Sequence, residues 1–454
     1  MIWKKPGWSL WLLFYLLAVW PFSGGQEEKK APAFSFVLTF PLKERALFPL
    51  AGRPGPNLLY NQNRIYAYTE AGQIVCYDLR EKKITWTSRL PHPTLAAPVL
   101  ADNNLLVVDQ DNNLACFSPE GNLLWEKKLP EPYGGKQTVW DDKLLLASAE
   151  NRLLAFKVSS GEMTWRVEVD SPVRFLEVIS DTSLIVLSSH GKIYLFSSNG
   201  DQNLVGSVGQ EILPFAFSSE DRLVLATADR SVVCWDLKRK RPAWKLRLGG
   251  QVAADPLVVK KRLYVAAANA VLYCLNLRSG EIQWWKPLPS PLVFGLLPCG
   301  EAILVTTVNP PLLGFDARRG QELGRWEVEG EICSPVFFVD NLLALATFDP
   351  IAGEGFWRFL EPEVEVSVVS SVPSPIRPGE KVTFTAVARG FVRPRFAFSL
   401  LSREGEKVVQ QEKERASWTW VPLEPGEYTI VVRVRDERRK AEASVSFQVI
   451  QEAP

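Results

Sequence analysis

The chain has 454 residues, of which 46% are hydrophobic and 23% are charged, with 52 Lys and Arg against 51 Asp and Glu. This length allows two or three domains with their own cores, and the composition excludes a disordered chain. The formal net charge of +1 excludes a general field for nucleic acid, and only 2 His and 2 Met exclude most metal-site and haem chemistry. The 16 Trp and 33 Pro indicate many short strands joined by turns.

The N-terminus carries a short apolar run. Two lysines precede residues 8–20, which are apolar except for one serine. Thirteen residues are fewer than the roughly 20 that a membrane span needs, and they are typical of a signal-peptide core. Ser23 and Gly25 place small residues where a signal peptidase reads, so we predict a signal peptide over residues 1–25 and a protein exported to the periplasm or cell surface. An uncleaved N-terminal anchor is the alternative. No Cys follows the run, which argues against a bacterial lipid anchor.

From residue 64 onward the chain repeats itself about every 40 residues. Each unit holds short runs rich in β-branched, leucine and aromatic residues, separated by turn residues, and leaves no room for a helix. The unit starts lie 39 or 40 residues apart, at Arg64, Asn104, Lys143, Ser183, Arg222, Arg262, Ala302 and Asn341. Four-stranded units of this length are typical of propeller blades. The sequence therefore predicts an all-β chain with an eight-bladed β-propeller over residues 26–360.

The eighth unit lacks an outer strand, and this bears on how the ring closes. The segment FSFVLTF (residues 34–40) precedes the first unit and has no partner of its own. A strand added there would complete the eighth blade and remove an exposed sheet edge. We therefore predict that residues 34–40 close the propeller as an N-terminal strand, with residues 364–369 as the competing candidate.

A turn glycine and a tryptophan occupy fixed places in most units. The glycine supplies positive φ in the turn after the third strand, and its positions are Gly121, Gly161, Gly200, Gly280 and Gly320. Four residues after the glycine position come Trp86, Trp125, Trp165, Trp244 and Trp284. Leu204 replaces the tryptophan in the fourth unit, and Trp326 is displaced by two residues in the seventh. An indole on an outer strand can pack on the adjacent blade while its N–H finds an acceptor, so we assign these five tryptophans a structural role.

The pattern Asp-x-x-x-Gly-x-x-x-Trp at this period resembles the repeat of pyrroloquinoline-quinone-type propellers, over about residues 34–360. That family includes quinoprotein dehydrogenases and the propeller lipoprotein of the bacterial outer-membrane barrel-assembly machinery. The resemblance implies the propeller fold and leaves the function open between these members. A WD-repeat propeller is the alternative, since Trp235 and Asp236 end a third strand, but no unit has the Gly-His pair of that family.

The repeat stops near Leu360, and residues 361–454 have a different pattern. Alternating runs suggest roughly seven short strands, which predicts a small immunoglobulin-like β-sandwich. The segment from Trp420 to Tyr428, with its Pro-Gly turn, resembles the late hairpin of bacterial immunoglobulin-like modules.

Six Cys in an exported protein invite a disulfide framework, but their spacing argues against one. Cys76, Cys116, Cys234 and Cys274 occupy the same third-strand position in four units. Equivalent positions on adjacent blades lie about 10 Å apart, whereas a disulfide needs Cα atoms within about 7 Å. We therefore predict mostly free, buried thiols.

The sequence contains no motif for catalysis. His92 and His190 fall in different units without a second ligand at metal spacing, and no nucleophile elbow, phosphate loop or zinc motif is present. A quinoprotein dehydrogenase needs calcium ligands and a carboxylate base, and its alcohol-oxidising members typically carry an adjacent Cys pair, which is missing here. Acidic residues such as Asp109, Glu150 and Asp229 are better explained by turns. We therefore predict no enzymatic activity, no metal and no cofactor.

Binding usually resides in variable loops on a rigid scaffold. The loops that join the outer strand of one blade to the inner strand of the next contain our candidates for partner contact, which are His92, Tyr133, Arg174 and Leu288.

The leading hypothesis is an exported scaffold that binds protein partners in the cell envelope, in outer-membrane protein assembly. It has no nucleic-acid partner and no membrane span after signal cleavage. The alternatives are a divergent quinoprotein dehydrogenase and a cell-surface carbohydrate-binding protein, which would need exposed aromatic rows on the sandwich.

Overall fold

The computed structural model describes residues 38, 40–81, 83–219, 221–328, 330–339, 342–391, 393–436 and 439–451. These residues form 40 strands in ten sheets. Within these ranges the chain has no helix, and so none that could cross a membrane. The predicted signal peptide lies outside the described residues.

Seven sheets each consist of four consecutive antiparallel strands, as the repeat predicts, and we number them blades 1 to 7 along the chain. Blades 1 to 4 are Leu59–Asn61, Arg64–Tyr68, Gln73–Asp78 and Lys83–Arg89; Val99–Ala101, Asn104–Val108, Asn113–Phe117 and Leu123–Lys128; Tyr133–Trp140, Lys143–Ser148, Arg152–Lys157 and Met163–Glu168; Val173–Ser180, Ser183–Ser188, Lys192–Phe196 and Gln202–Ser207. Blades 5 to 7 are Ile212–Ser218, Arg222–Thr227, Ser231–Asp236 and Arg241–Arg247; Leu257–Val259, Arg262–Ala267, Val271–Asn276 and Ile282–Pro287; Leu292–Cys299, Ala302–Thr307, Leu312–Asp316 and Glu322–Trp326.

Blade 8 contains the N-terminal strand. Glu331–Ile332 and Phe337–Val339 pair with Leu342–Asp349, which pairs with Glu354–Pro362, and Leu42–Ala51 pairs antiparallel with the last of these. The chain therefore closes its last blade with a strand from its N-terminal end. The segment predicted for this role is wrong, because the strand begins at Leu42 rather than within residues 34–40. Of that segment, only Leu38 and Phe40 belong to the described residues.

The apolar character of Leu38 and Phe40 has another cause. Both pack into the buried cluster between blades 7 and 8. A Cβ on Gly324 would lie 2.5 Å from the Phe40 side chain. Gly324 of the fourth strand pairs with Gly314 of the third strand. In blade 6 the equivalent pair is Trp284 and Cys274, so Gly324 stands where blade 6 has its tryptophan. Phe40 therefore fills the space that the missing tryptophan of the seventh unit leaves.

Eight buried apolar clusters join each blade to the next, and one of them joins blade 8 to blade 1. In that cluster, Trp357 and Phe359 of blade 8 pack with Ile65 and Ala67 of blade 1. The first strands of several neighbouring blades also contact each other, which places them innermost around a central channel. The eight sheets thus form a closed ring, with the fourth strand of each repeat at the outer rim.

The five tryptophans lie between blades. Each indole packs on the turn glycine of the following blade. A Cβ added to that glycine would lie 2.6–2.9 Å from the indole. The pairs are Trp86 with Gly121, Trp125 with Gly161, Trp165 with Gly200, Trp244 with Gly280 and Trp284 with Gly320. The first four of these indoles donate their N–H to a carbonyl oxygen in the same turn, at 2.8–3.1 Å. Only a residue without a side chain leaves room for this contact.

The C-terminal strands form two sheets. Glu365–Ser370, Val382–Arg389 and Ser417–Trp420 form one, and Gly405–Lys413, Arg395–Ser402, Gly426–Arg435 and Lys440–Val449 form the other. Residues 364–369, the alternative closing strand, therefore belong almost wholly to this second body. Phe384, Phe398 and Phe447 are buried between its sheets, which makes it a β-sandwich. Its immunoglobulin class stays a prediction.

Among the described residues of the sandwich, the aromatic side chains do not form an exposed row of the kind that carbohydrate binding would need. Trp418, Trp420 and Tyr428 are half-buried and pack against the sandwich core. The two indoles stack with ring centroids 6.2 Å apart, and the ring of Tyr428 meets that of Trp420 edge-on at 4.8 Å.

The glycine of the interblade contact has a matched control in the chain. Gly280 and Gly353 both have positive φ, +76° and +71°, and both donate their N–H to the carbonyl four residues earlier at 2.8 Å. A Cβ on Gly280 would lie 2.6 Å from Trp244, whereas nothing lies within 4 Å of one on Gly353. We predict that Gly280→Ala lowers the free energy of unfolding by about 1–3 kcal/mol more than Gly353→Ala, since the first variant alone overpacks the blade interface. Guanidinium unfolding followed by Trp fluorescence measures the difference, and equal losses would contradict it.

All six cysteines are buried and unpaired, which confirms the prediction of free thiols. Burial raises the pKa of Cys116, Cys274 and Cys333 to about 11, so their thiolates are scarce at neutral pH. We expect six thiols to react with a thiol reagent in denaturant without reductant, and almost none to react rapidly in the native protein. Fewer than six in denaturant would reveal a disulfide.

Candidate functional site

The ring has two faces with different properties. We call the loop face the side formed by the loops from each outer strand to the next inner strand, together with the turns between second and third strands. The turn face is the opposite side, where the turns between third and fourth strands carry the interblade glycines. Repetition of the glycine contact constrains the turn face. The loop face is free to differ from blade to blade, which makes it the better place for recognition.

Loops and turns of the loop face are fixed to each other. The N–H at the start of a loop donates to a carbonyl of the turn in the same blade, as from Leu90 to Gly72 and from Leu248 to Arg230, both at 2.9 Å. The buried carboxylate of Glu131 also holds Arg152 and Arg166, at 3.0 and 3.2 Å. Burial acts to raise the pKa of Glu131, but hydrogen bonds from Ser148 and Arg152 outweigh it and lower that pKa. The loop face is therefore a rigid surface.

Three of the four proposed contact residues lie on this face with some exposed surface. His92 is half-buried, with 44% of its side chain exposed, and its Nε2 lies 3.1 Å from Asp111. Arg174 is half-buried and lies 3.8 Å from Glu211. Tyr133 is also half-buried, with its ring against the cluster of blades 2 and 3. Burial raises the pKa of its phenol well above the usual value.

The structure corrects the expectation for Leu288. Its side chain is only 6% exposed and packs in the cluster between blades 6 and 7. In three other blades a leucine likewise follows the outer strand directly and is 6% exposed, namely Leu90, Leu129 and Leu248. This position therefore seals the blade interface and offers no side-chain surface to a partner.

Two exposed apolar side chains project from neighbouring blades of the loop face, and the sequence did not predict them. Val308 is 61% exposed in the turn of blade 7, and Ile351 is 97% exposed in the turn of blade 8. We call these two residues the apolar tips. The corresponding turns of blades 1 to 6 carry charged, polar or small residues, such as Glu70, Asp111 and His190.

Hydrogen bonds hold both tips in place. Val308 N–H donates to the carbonyl of Pro291 at 3.1 Å, and the next N–H donates to Ser290 Oγ at 2.9 Å. In blade 8, Asp349 Oδ1 accepts the N–H groups of Ile351 and Ala352, at 2.8 and 3.1 Å. The tips are therefore apolar groups presented on preformed turns.

A second set of unusual residues surrounds the central channel. We call Lys136, Arg174, Glu177 and Asp255 the channel cluster. Lys136 comes from the inner strand of blade 3, Arg174 and Glu177 from that of blade 4, and Asp255 from the segment before that of blade 6. Blades 3 and 6 are not neighbours, so the electrostatic interaction between Lys136 and Asp255 runs across the channel.

The channel cluster has perturbed protonation equilibria. Burial lowers the pKa of Lys136 to about 8, against the opposing attraction of Asp255. Burial likewise raises the pKa of Asp255 to about 6, against the attraction of Lys136 and the N–H of Ala216, which donates to it at 3.1 Å. Lys136 is 4% exposed, and its Nζ has no hydrogen-bond partner among the described residues. The cluster therefore places a buried ammonium without a hydrogen-bond partner and a carboxyl of raised pKa beside the channel.

Two other acidic residues of the loop face, Asp109 and Asp229, stabilise the turns. Asp109 accepts the N–H of Asn113 at 2.8 Å, and Asp229 accepts the hydroxyl of Thr227 and the ammonium of Lys245. In the described ranges, no group of three or more His, Cys, Asp or Glu could hold a metal ion.

The raised pKa of Asp255 predicts a pH-dependent stability. Asp255→Asn keeps an oxygen that can accept the N–H of Ala216 and removes the ionisable carboxyl. The folded pKa of about 6 exceeds the unfolded value, which is about 4, so the folded wild type binds more protons between these pH values. We therefore expect the wild type to lose stability relative to the variant as pH rises from about 4 to 6, with a constant difference above that. Guanidinium unfolding across this range measures it, and a relative gain for the wild type would instead mean a stabilised carboxylate.

Comparison with known proteins agrees with this architecture. A family model described as outer membrane protein assembly factor BamB matches residues 41–205 and 201–298. The crystal structure of BamB from Moraxella catarrhalis is similar with a TM-score of 0.58 at 12% identity, over 70% of this chain and 98% of that one. The computationally designed protein Ika8 has a TM-score of 0.57 at 13% identity, over 68% and 97% of the two chains. No curated protein sequence matches.

Both structural similarities are too distant in sequence to show more than the fold. The family model, in contrast, spans more than half of the chain. It confirms the resemblance to pyrroloquinoline-quinone-type propellers, and the chain belongs to the BamB family of these repeat proteins.

Proposed function

We propose that this chain is an exported, non-catalytic scaffold that binds a protein partner during outer-membrane protein assembly. Membership of a family whose model is described as an outer membrane protein assembly factor carries the proposal. The apolar run at the N-terminus supports export, because its length and the small residues after it are those of a signal peptide.

The loop face is the proposed binding surface. A partner that covers Val308 and Ile351 would remove two aliphatic side chains from water, at about 1.5–3 kcal/mol for each one fully buried. Because the turns are already held by hydrogen bonds, little conformational entropy is lost on binding. His92 and Arg174 share this face and would supply polar contacts at the rim of the interface.

A pair of matched variants tests this surface. Val308→Asp with Ile351→Asp places charges on both apolar tips, whereas Val369→Asp with Leu423→Asp places two on apolar side chains of the C-terminal sandwich, which are 58% and 82% exposed. We expect the double variant to reduce recovery of a crosslinked outer-membrane assembly component from native envelopes at least about tenfold, and the control to retain it. Affinity purification with quantitative mass spectrometry measures the recovery.

Thermal unfolding checks that both variants are folded. Undiminished recovery with the double variant would contradict the assigned surface. Recovery of no envelope protein by the wild type would contradict the scaffold function itself.

A further inference from the structure

A basic cavity opens on the turn face, opposite the surface proposed for the protein partner. Its volume is about 540 Å³, and it lies between the turns of blades 5 and 6. Five basic side chains line it, namely Arg222, Lys238, Arg239 and Arg241 from blade 5 and Arg278 from blade 6. The four consecutive residues 238–241 (KRKR) are all basic, and they have no part in the proposed function.

The acidic residues of the cavity balance only part of this charge. Asp221 pairs with Lys238, and Asp236 lies 3.6 Å from Arg222. Five basic minus two acidic lining residues leave a surplus of +3. The surplus stays positive even when Glu220, which precedes Asp221 in sequence and lies outside the described residues, is counted.

Three guanidinium groups provide the surplus. Arg239, Arg241 and Arg278 are exposed, and none of their side chains forms a hydrogen bond or salt bridge in the described ranges, although Asp236 attracts Arg239 electrostatically. They come from two different blades that the interblade contact of Trp244 holds together. The fold therefore concentrates unpaired positive charge at a fixed place.

Equivalent positions at other blade interfaces are not uniformly basic: some carry acidic residues, whereas Arg80 of blade 1 and Arg318 of blade 7 share the place of Arg278. Glu120 of blade 2 occupies the place of Arg278 and lies 3.8 Å from Arg64. In blade 6, Glu281 occupies the place of Arg241. The repeat therefore does not require basic residues at these positions, and their convergence between blades 5 and 6 needs a separate cause.

We propose that this cavity binds the phosphate of an anionic headgroup or of a free phosphorylated molecule. Guanidinium groups match the geometry of phosphate oxygens and bind them through paired, charge-assisted hydrogen bonds. The volume exceeds what a bare phosphate needs and lies in the range of small-molecule sites, so we expect the phosphate to be carried on a larger polar group.

The test uses two probes and two double variants of the full chain. Glycerol 3-phosphate, titrated by calorimetry, reports on the cavity in solution, and vesicles of phosphatidylglycerol, with phosphatidylcholine vesicles for comparison, report on a membrane surface. Arg239→Gln with Arg278→Gln removes one guanidinium from each blade. Arg318→Gln with Arg319→Gln, in the exposed turn of blade 7, makes the same change of charge elsewhere.

We expect glycerol 3-phosphate to bind the wild type and the blade 7 variant, and to bind the cavity variant at least about tenfold more weakly. Parallel loss of phosphatidylglycerol binding would identify a lipid headgroup as the source, and failure of any protein to bind these vesicles would identify a free phosphorylated molecule. No binding of either probe by the wild type would overturn the proposal. Equal weakening in both variants would also overturn it, because the attraction would then follow net charge alone.

Since the cavity lies on the turn face, capture of a protein partner is expected to survive in the cavity variant, which separates this test from that of the loop face.

Discussion

The propeller depends on a contact in which an indole lies against a glycine of the next blade. The contact combines apolar burial, an indole hydrogen bond and a turn whose positive φ only glycine adopts without strain. At four interfaces the three occur together, and a side chain at the glycine would displace the indole and with it the hydrogen bond. Repetition of this contact fixes the angle between blades and makes the turn face uniform. Variation is then confined to the loop face and to a few positions in the turns.

Closure of the ring shows the same constraint where the repeat fails. The seventh unit has Gly324 where a tryptophan is expected, and Phe40 from the N-terminal segment fills the space. The chain then continues into Leu42–Ala51 and completes blade 8. One segment thus supplies both the missing aromatic ring and the missing strand. The last blade is therefore held by residues from both ends of the propeller, which removes the free sheet edge that an open ring would have.

The sequence predicts most of the fold because the fold is periodic. Blade strands, turn glycines and interblade tryptophans follow from a pattern that recurs within one chain. The closing strand was misplaced, because the two described residues of the run at 34–40, Leu38 and Phe40, pack into the cluster between blades 7 and 8 and the paired strand begins at Leu42. Leu288 was misjudged for a related reason, since a leucine before a loop cannot be distinguished by sequence from one that seals a blade interface.

The candidate sites were largely beyond sequence analysis, because they depend on distance in space rather than in sequence. Lys136 and Asp255 belong to blades 3 and 6 and interact electrostatically only across the channel. Val308 and Ile351 lie on neighbouring blades only because blades 7 and 8 pack against each other in the folded ring. A further signal was available in retrospect: comparing the turns between second and third strands shows that apolar residues at the tips are unusual in this repeat.

The proposed scaffold function requires that the loop face, and not the turn face, contacts an envelope protein. Site-specific photocrosslinking in native envelopes tests this most directly, with the crosslinking residue placed at position 351 on the loop face and, separately, at position 279 on the turn face. We expect a defined adduct with an outer-membrane assembly component from position 351 and none from position 279. An adduct with that component from position 279 alone would contradict it.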